Sequence, residues 1–229
     1  MSQIKLSPRL QAVADLVETK QKVADIGSDH AYLATYLVES GRVAEAIVGE
    51  VAKGPLDNAK KTVANSGLST KIDCRLADGL FALKAEDRVE TVVIAGMGGL
   101  LIKKILNDNR ALGPFQQLVL QPNTDQDAVR SWLVANGYRI SQEQLVEEQP
   151  HRYEIIVAKP GQEELSDADR IFGPILRKEA GPIFQAKWQH EQARLQLVLD
   201  RLEEANQKTN AKYQEVAAKI AQIKKELHS

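Results

Sequence analysis

The residues whose types and spacing carry the most chemistry lie in Val23-Ala-Asp-Ile-Gly-Ser-Asp-His-Ala-Tyr-Leu33. An apolar run ends in Asp25-Ile26-Gly27, turns tightly and enters a helical pattern. In α/β sheets such strand–turn–helix junctions bind ligands beyond the carboxyl ends of the strands. Gly27 lets a ligand approach the backbone with no Cβ in the way. A dinucleotide site wants further glycines where this chain has Asp29 and Ala31. A carboxylate at 29 would repel a pyrophosphate. The turn therefore argues against NAD and FAD and fits a ligand with positive charge and no phosphate.

S-adenosyl-L-methionine, with a sulfonium and an α-ammonium, is such a ligand, and the segment resembles motif I of class I methyltransferases. The order of that superfamily continues along the chain. Glu50 closes the second strand, 25 residues after Asp25, where the resemblance implies an acid gripping the ribose; two carboxylate oxygens suit two hydroxyls. Asp78-Gly79 follows the third strand, where the superfamily holds the adenine amino group. Ala95-Gly96-Met97-Gly98-Gly99 ends the fourth, beside the reacting methyl. The resemblance thus implies cofactor contacts from Asp25, Gly27, Ser28, His30, Glu50, Val51, Asp78, Gly79, Ala95 and Gly96. His30 also has capping and packing alternatives. Arg9, on the helix before the first strand, could meet the methionine carboxylate as a charged donor; a solvated surface arginine is the other reading.

The fourth strand lacks the D/N-P-P-Y/F of enzymes acting on exocyclic amino groups. Four runs narrow the match: Ala24–Leu33, Gly49-Glu50-Val51 with Gly54-Pro55, Ile94–Gly99, and Leu120-Gln-Pro-Asn123. Together they resemble the bacterial TrmK family, tRNA methyltransferases acting on N1 of adenine 22. The resemblance covers the α/β part by motif and the tail by architecture alone. It departs at Ala34, where a proline is expected inside the first helix.

If the acceptor is adenine N1, its lone pair attacks in line without first losing a proton. Catalysis then needs orientation and a negative group facing the charge that develops on the base. Asp29 is the candidate catalytic residue, accepting from the 6-amino group; capping the next helix or binding the cofactor's ammonium are its alternatives. Gln121 and Asn123 could read the Watson–Crick edge or simply form a turn. Met97 stands near the acceptor, as packing. His151, Arg152 and Tyr153 could hold the surroundings of the flipped nucleotide. Unstacking the base costs a few kcal/mol, and Lys208, Lys212, Lys219, Lys224 and Lys225 are candidates for offsetting phosphate contacts. A solvated coiled-coil face is the plainer reading of those lysines. Two other functions stay open: a methyltransferase of a small molecule or protein, and a non-catalytic SAM-binding coiled-coil module.

These residues need a scaffold, and the pattern supplies one. Strand candidates are Val23–Ile26, Ala46–Glu50, Ile72–Leu76, Thr91–Ala95, Leu118–Gln121, Tyr138–Leu145 and Tyr153–Ala158, with helical stretches at roughly 8–18, 30–40, 52–66, 99–108 and 125–136. Strands separated by helices imply parallel crossovers, and the last two imply an antiparallel edge pair. The fold expected is α/β, a Rossmann-like, mostly parallel seven-stranded methyltransferase sheet over residues 1–159. A helical extension over 160–229 follows the Pro160-Gly161 break. In it Tyr213, Val216, Ile220, Ile223 and Leu227 form an a/d seam, with Trp188, Leu195, Val198, Leu202 and Ala205 in compatible register. Residues 206–210 read as the turn of a coiled-coil hairpin, one uninterrupted helix being the alternative.

The 229 residues hold 30 Lys+Arg against 31 Asp+Glu, so no basic excess announces a nucleic-acid partner. The split is 19 basic and 20 acidic residues in 1–159 and 11 of each beyond. Any tRNA affinity must therefore come from local lysine patches. One cysteine, Cys74, excludes an intrachain disulfide and reads as a buried small residue. His30, His151, His190 and His228 show no ligand spacing, so no metal is expected. With no apolar leader in MSQIKLSPRL and no span-length apolar run, the expectation is a cytoplasmic protein without membrane contact. Both arms of the seam lie in one chain, which favours a monomer.

Overall fold

The computed structural model describes residues 4–108, 112–205 and 208–228. The chain forms two compact units, Met1–Pro174 and Ile175–Ser229.

The first unit opens with α1 (Pro8–Leu16), where Ser7 accepts a hydrogen bond from the Leu10 N–H and Pro8 takes the first turn. Then come β1 (Val23–Ile26), α2 (Tyr32–Glu39), β2 (Ala46–Glu50), α3 (Lys53–Asn65) and β3 (Ile72–Leu76). They are followed by β4 (Thr91–Gly98), α4 (Gly99–Asp108), β5 (Gln117–Thr124), α5 (Gln126–Ala135), β6 (Tyr138–Glu148), β7 (His151–Pro160) and α6 (Asp167–Phe172). The sheet order is β3-β2-β1-β4-β5-β7-β6. The five strands from β3 to β5 are parallel, and β7 pairs antiparallel with both β5 and β6. The chain reverses its direction of travel across the sheet between β1 and β4, which opens a crevice at their carboxyl ends.

Every residue of β1 and β2 is buried, as expected where helices cover both faces of parallel strands. Val13 and Val17, Leu37, and Ala59 and Val63 meet Val23, Val48, Val93 and Val119 in one core. On the other face α4 and α5 pack against β4 and β5.

Six strand boundaries run beyond those expected. β4 continues past Ala95 and β6 past Leu145, β5 runs from before Leu118 to past Gln121, and β7 from before Tyr153 to past Ala158. The glycine and proline that suggested early ends are absorbed by irregular register between β4 and β5. Cys74 is half-buried on the edge strand β3 rather than in the core; that burial, with Asp73 beside it, pushes its thiol up to about 11.

The first unit also extends past the Pro160-Gly161 break. Arg130 of α5, completely buried, pairs with Glu143 at 2.8 Å and with Glu154. Its Nη1 donates to the carbonyls of Arg170 and Ile171 at 3.1 and 3.3 Å. One side chain thus ties α5, β6, β7 and the end of α6, and the division between units falls at Pro174 instead of residue 159.

The second unit contains α7 (Leu176–Glu179), α8 (Pro182–Glu204) and α9 (Ala211–Leu227). Asn210 accepts from the Lys212 N–H at 2.9 Å and starts α9 afresh, which excludes one uninterrupted helix. The expected turn includes 206 and 207, which lie outside the described residues. Glu203–Tyr213 and Glu191–Lys219 join α8 to α9, and Arg177 of α7 joins Glu226; the partners run in opposite senses, as an antiparallel hairpin requires. Val216, Ile220 and Ile223 are buried on one arm, and Trp188 and Leu195 on the other. Val198, Leu202, Tyr213 and Leu227 are half-buried, while Ala205 is exposed at the end of α8.

Candidate active site

β1 delivers Asp25 to the crevice 5% exposed. Its Oδ2 has no hydrogen-bond partner. Burial pushes the carboxyl up to about 6, while hydrogen bonds from Ser28 and the Ala34 backbone pull the other way. A buried carboxylate with one unmatched oxygen wants a cation or a donor.

Gly27 follows with φ +77°, its N–H donating to the Gly49 carbonyl at 2.7 Å. A Cβ here would collide with the ε-methyl of Met97. The turn closes on Ala31 in the left-handed region, and no side chain caps α2. Asp29 is therefore no helix cap. It stands 66% exposed on the rim, 3.3 Å from His30 Nε2, whose own side chain is 41% exposed. The His30 ring stacks on Tyr32, with centroids 5.1 Å apart and planes 12° from parallel.

These residues line a cleft of about 330 Å³ together with Arg9, Leu10, Leu33, Ala95 and Gly96. Arg9 comes from α1. Its N–H donates to Glu148 Oε2 at 2.9 Å, which lowers the Glu148 carboxyl's pKa. Its guanidinium lies 5.3 Å above the Tyr153 ring and donates to Gln121 Oε1 at 2.6 Å. Gln121 also accepts from the Gly96 N–H at 3.1 Å and donates to Asn123 at 3.0 Å.

The expected cofactor residues thus fall into two groups. Arg9, Asp25, Gly27, Ser28, His30, Ala95 and Gly96 share the cleft with Asp29. Glu50, Val51, Asp78 and Gly79 stand beyond it, at the ends of β2 and β3. There Glu50 accepts from the Ala52 N–H at 2.9 Å, and Val51, Leu76 and Phe81 present exposed apolar surface. The unmatched Asp25 oxygen fits a cationic cofactor. The acids and apolar side chains at β2 and β3 fit a nucleoside beyond it.

Of the expected substrate residues, Tyr153 joins the site beneath Arg9 and Met97 covers Gly27. Gln121 and Asn123 use their amide groups on Arg9, on each other and on the Gly96 backbone, with Gln121 buried and Asn123 exposed. Arg152 does not reach the cleft: it pairs with Glu147 across the β6–β7 hairpin at 2.8 Å. Leu10, Tyr32, Leu33 and Glu148 were not anticipated. For Tyr32 the signal was its place two residues after His30 on the same turn. Among the described residues no group of three His, Cys, Asp or Glu side chains could hold a metal ion, and no helix is long and apolar enough to cross a membrane.

A mostly parallel sheet with this crevice, and with acids at the ends of β1, β2 and β3, defines a class I S-adenosylmethionine-dependent methyltransferase. A family model described as TrmK, tRNA (adenine(22)-N(1))-methyltransferase, matches residues 23–225. The tRNA (adenine(22)-N(1))-methyltransferase of Bacillus subtilis (strain 168) is 36% identical over 98% of both chains. The structure of Streptococcus pneumoniae Sp1610 in complex with S-adenosyl-L-methionine superposes with a TM-score of 0.90 at 42% identity, over 98% of this chain and 100% of that one. M. capricolum TrmK with S-adenosyl-homocysteine gives 0.88 at 28% identity, over 97% and 98%. The chain belongs to the TrmK family of tRNA (adenine(22)-N(1))-methyltransferases.

Proposed function

We propose that the chain methylates N1 of adenine 22 in tRNA at this cleft, with Asp29 as the catalytic residue facing the base. The observation that carries the assignment is the position of Asp29. It replaces a motif glycine, caps no helix, and projects from the rim beside the buried Asp25–Gly27 turn. S-adenosylmethionine, when bound, supplies an electrophilic methyl group on a cationic sulfur. Asp25 and Ser28 hold the charged amino-acid end, Glu50 and Val51 the ribose side, and Asp78 and Gly79 the adenine. Ala95 and Gly96 form the wall beside the methyl, with Arg9 and His30 closing the cleft above it.

Adenine N1 needs no base to expose its lone pair. Asp29 accepts from the 6-amino group and faces the positive charge that grows on the ring, and so favours the charged transition state over the neutral reactant. We further propose that Lys224 and Lys225 meet tRNA phosphates. They have no ion-pair partner among the described residues, whereas Lys208, Lys212 and Lys219 face Glu203, Glu215 and Glu191. A seam closed within one hairpin supports a monomer, and a tRNA substrate supports a cytoplasmic setting.

Labelled cofactor, unmodified tRNA and mapping of the modified base test the reaction. Asp29→Ala should lose about 100-fold or more in kcat while cofactor affinity by calorimetry stays within about threefold. Unchanged turnover would remove Asp29 from the chemistry.

A further inference from the structure

The end of β4 is held rather than free. Gly96 has φ +81°, and the register with β5 slips on both sides of Met97. A bulge of this kind re-aims a side chain; here Met97 lies over Gly27. Two β5 side chains grip the Gly96 peptide from both sides. Gln121 Oε1 accepts from its N–H at 3.1 Å, and Asn123 Nδ2 donates to its carbonyl at 2.9 Å. Gln121 Nε2 joins the pair by donating to Asn123 Oδ1 at 3.0 Å. The same Gln121 oxygen accepts from Arg9 Nη1 at 2.6 Å, while the guanidinium rests on Tyr153. Gln121 itself is completely buried.

We propose that Gln121 is a positioning residue for methyl transfer: from inside the sheet it locks the Gly96 turn and Arg9 into one frame, and so sets where the Ala95–Met97 wall meets the Asp25–Asp29 turn. This rests on the proposed placement of the reacting methyl beside that wall. The residue type follows from the bonds. One planar group must offer an oxygen with two lone pairs and a donor at once. Leucine fills the space and makes none of these bonds; glutamate keeps the acceptor and loses the donor. A frame of buried, mutually bonded groups leaves little slack, and misplacing reacting atoms by about 1 Å costs on the order of 100-fold in rate.

The test uses full-length wild type, Gln121→Leu and Gln121→Glu with unmodified tRNA and S-adenosylmethionine. Gln121→Leu should melt cooperatively and keep cofactor affinity and KM for tRNA within about threefold. Its kcat should fall by about 100-fold, and Gln121→Glu should restore at least about tenfold of that loss. Asn123→Ala changes an exposed residue and should lower kcat by about tenfold, which keeps the proposal open to refutation if Gln121→Leu does not fold. Unchanged kcat in the folded variants would overturn it, and so would a loss confined to KM for tRNA. Wild-type methylation of tRNA tests the substrate by itself. The variant-to-wild-type ratio tests Gln121, on whichever acceptor the wild type methylates.

Discussion

Two regions of the sheet, one at its edge and one at the end of a central strand, bury carboxylates in opposite ways. At the α5–β6–β7 corner, Glu143 and Glu154 surround Arg130, and all three side chains are essentially inaccessible. At the end of β1, Asp25 is buried with one oxygen unmatched. The first arrangement is complete without a ligand and holds the fold; the second leaves an oxygen open, which fits its proposed role at the cofactor. Burial of charge alone does not separate structure from function, but the pairing of that charge does.

The strongest way to break this contrast is to unpair the structural corner. Arg130→Leu leaves two buried carboxylates facing each other and should lower stability by about 3–5 kcal/mol in urea unfolding. Replacing all three charged residues with apolar ones of similar volume should restore much of that loss; a single variant with wild-type stability would refute the assignment.

Asp25 should behave in the opposite way. Its pKa is about 6 in the folded chain against an ordinary 3.8, so the folded state holds this proton more tightly than the unfolded one. The stability linked to it is complete below pH 3.8 and is lost as pH rises through about 6, by up to about 3 kcal/mol. Asp25→Asn should therefore raise the melting temperature at pH 8 and have little effect at pH 4, while weakening cofactor binding by about tenfold or more. In the wild type, cofactor affinity should fall as the pH drops below about 6. A variant that is less stable at pH 8, or binds cofactor normally, would refute the contrast.

The smallest effect is expected at the hairpin surface. Lys224→Glu with Lys225→Glu should weaken tRNA binding several-fold, reduce its salt dependence by about one or two phosphate contacts, and leave cofactor binding alone. Equal tRNA affinity at every salt concentration would remove these lysines from the interface.

What could be read from the chain follows the same contrast. The Asp25–Gly27 turn, the crossovers and the a/d seam were legible because each is written in local periodicity and turn chemistry. Arg130, Glu143 and Glu154 were not: their pairing exists only after β6 and β7 have folded back beside α5. The Gly96 bulge was equally hidden, since a glycine at a strand end reads as a stop. Arg152 and Tyr153 carry a lesson that was available. Neighbours on a strand point to opposite faces, so at most one of them could reach the cleft.

The placement of Met97 has a practical consequence. The chain has two methionines, Met1 and Met97, and the second lies with its ε-methyl above Gly27. Isotopic labelling of methionine methyls would therefore put a single internal magnetic-resonance reporter beside the proposed meeting place of the cofactor sulfur and the acceptor base. Arrival of either would be visible without altering an atom of the protein.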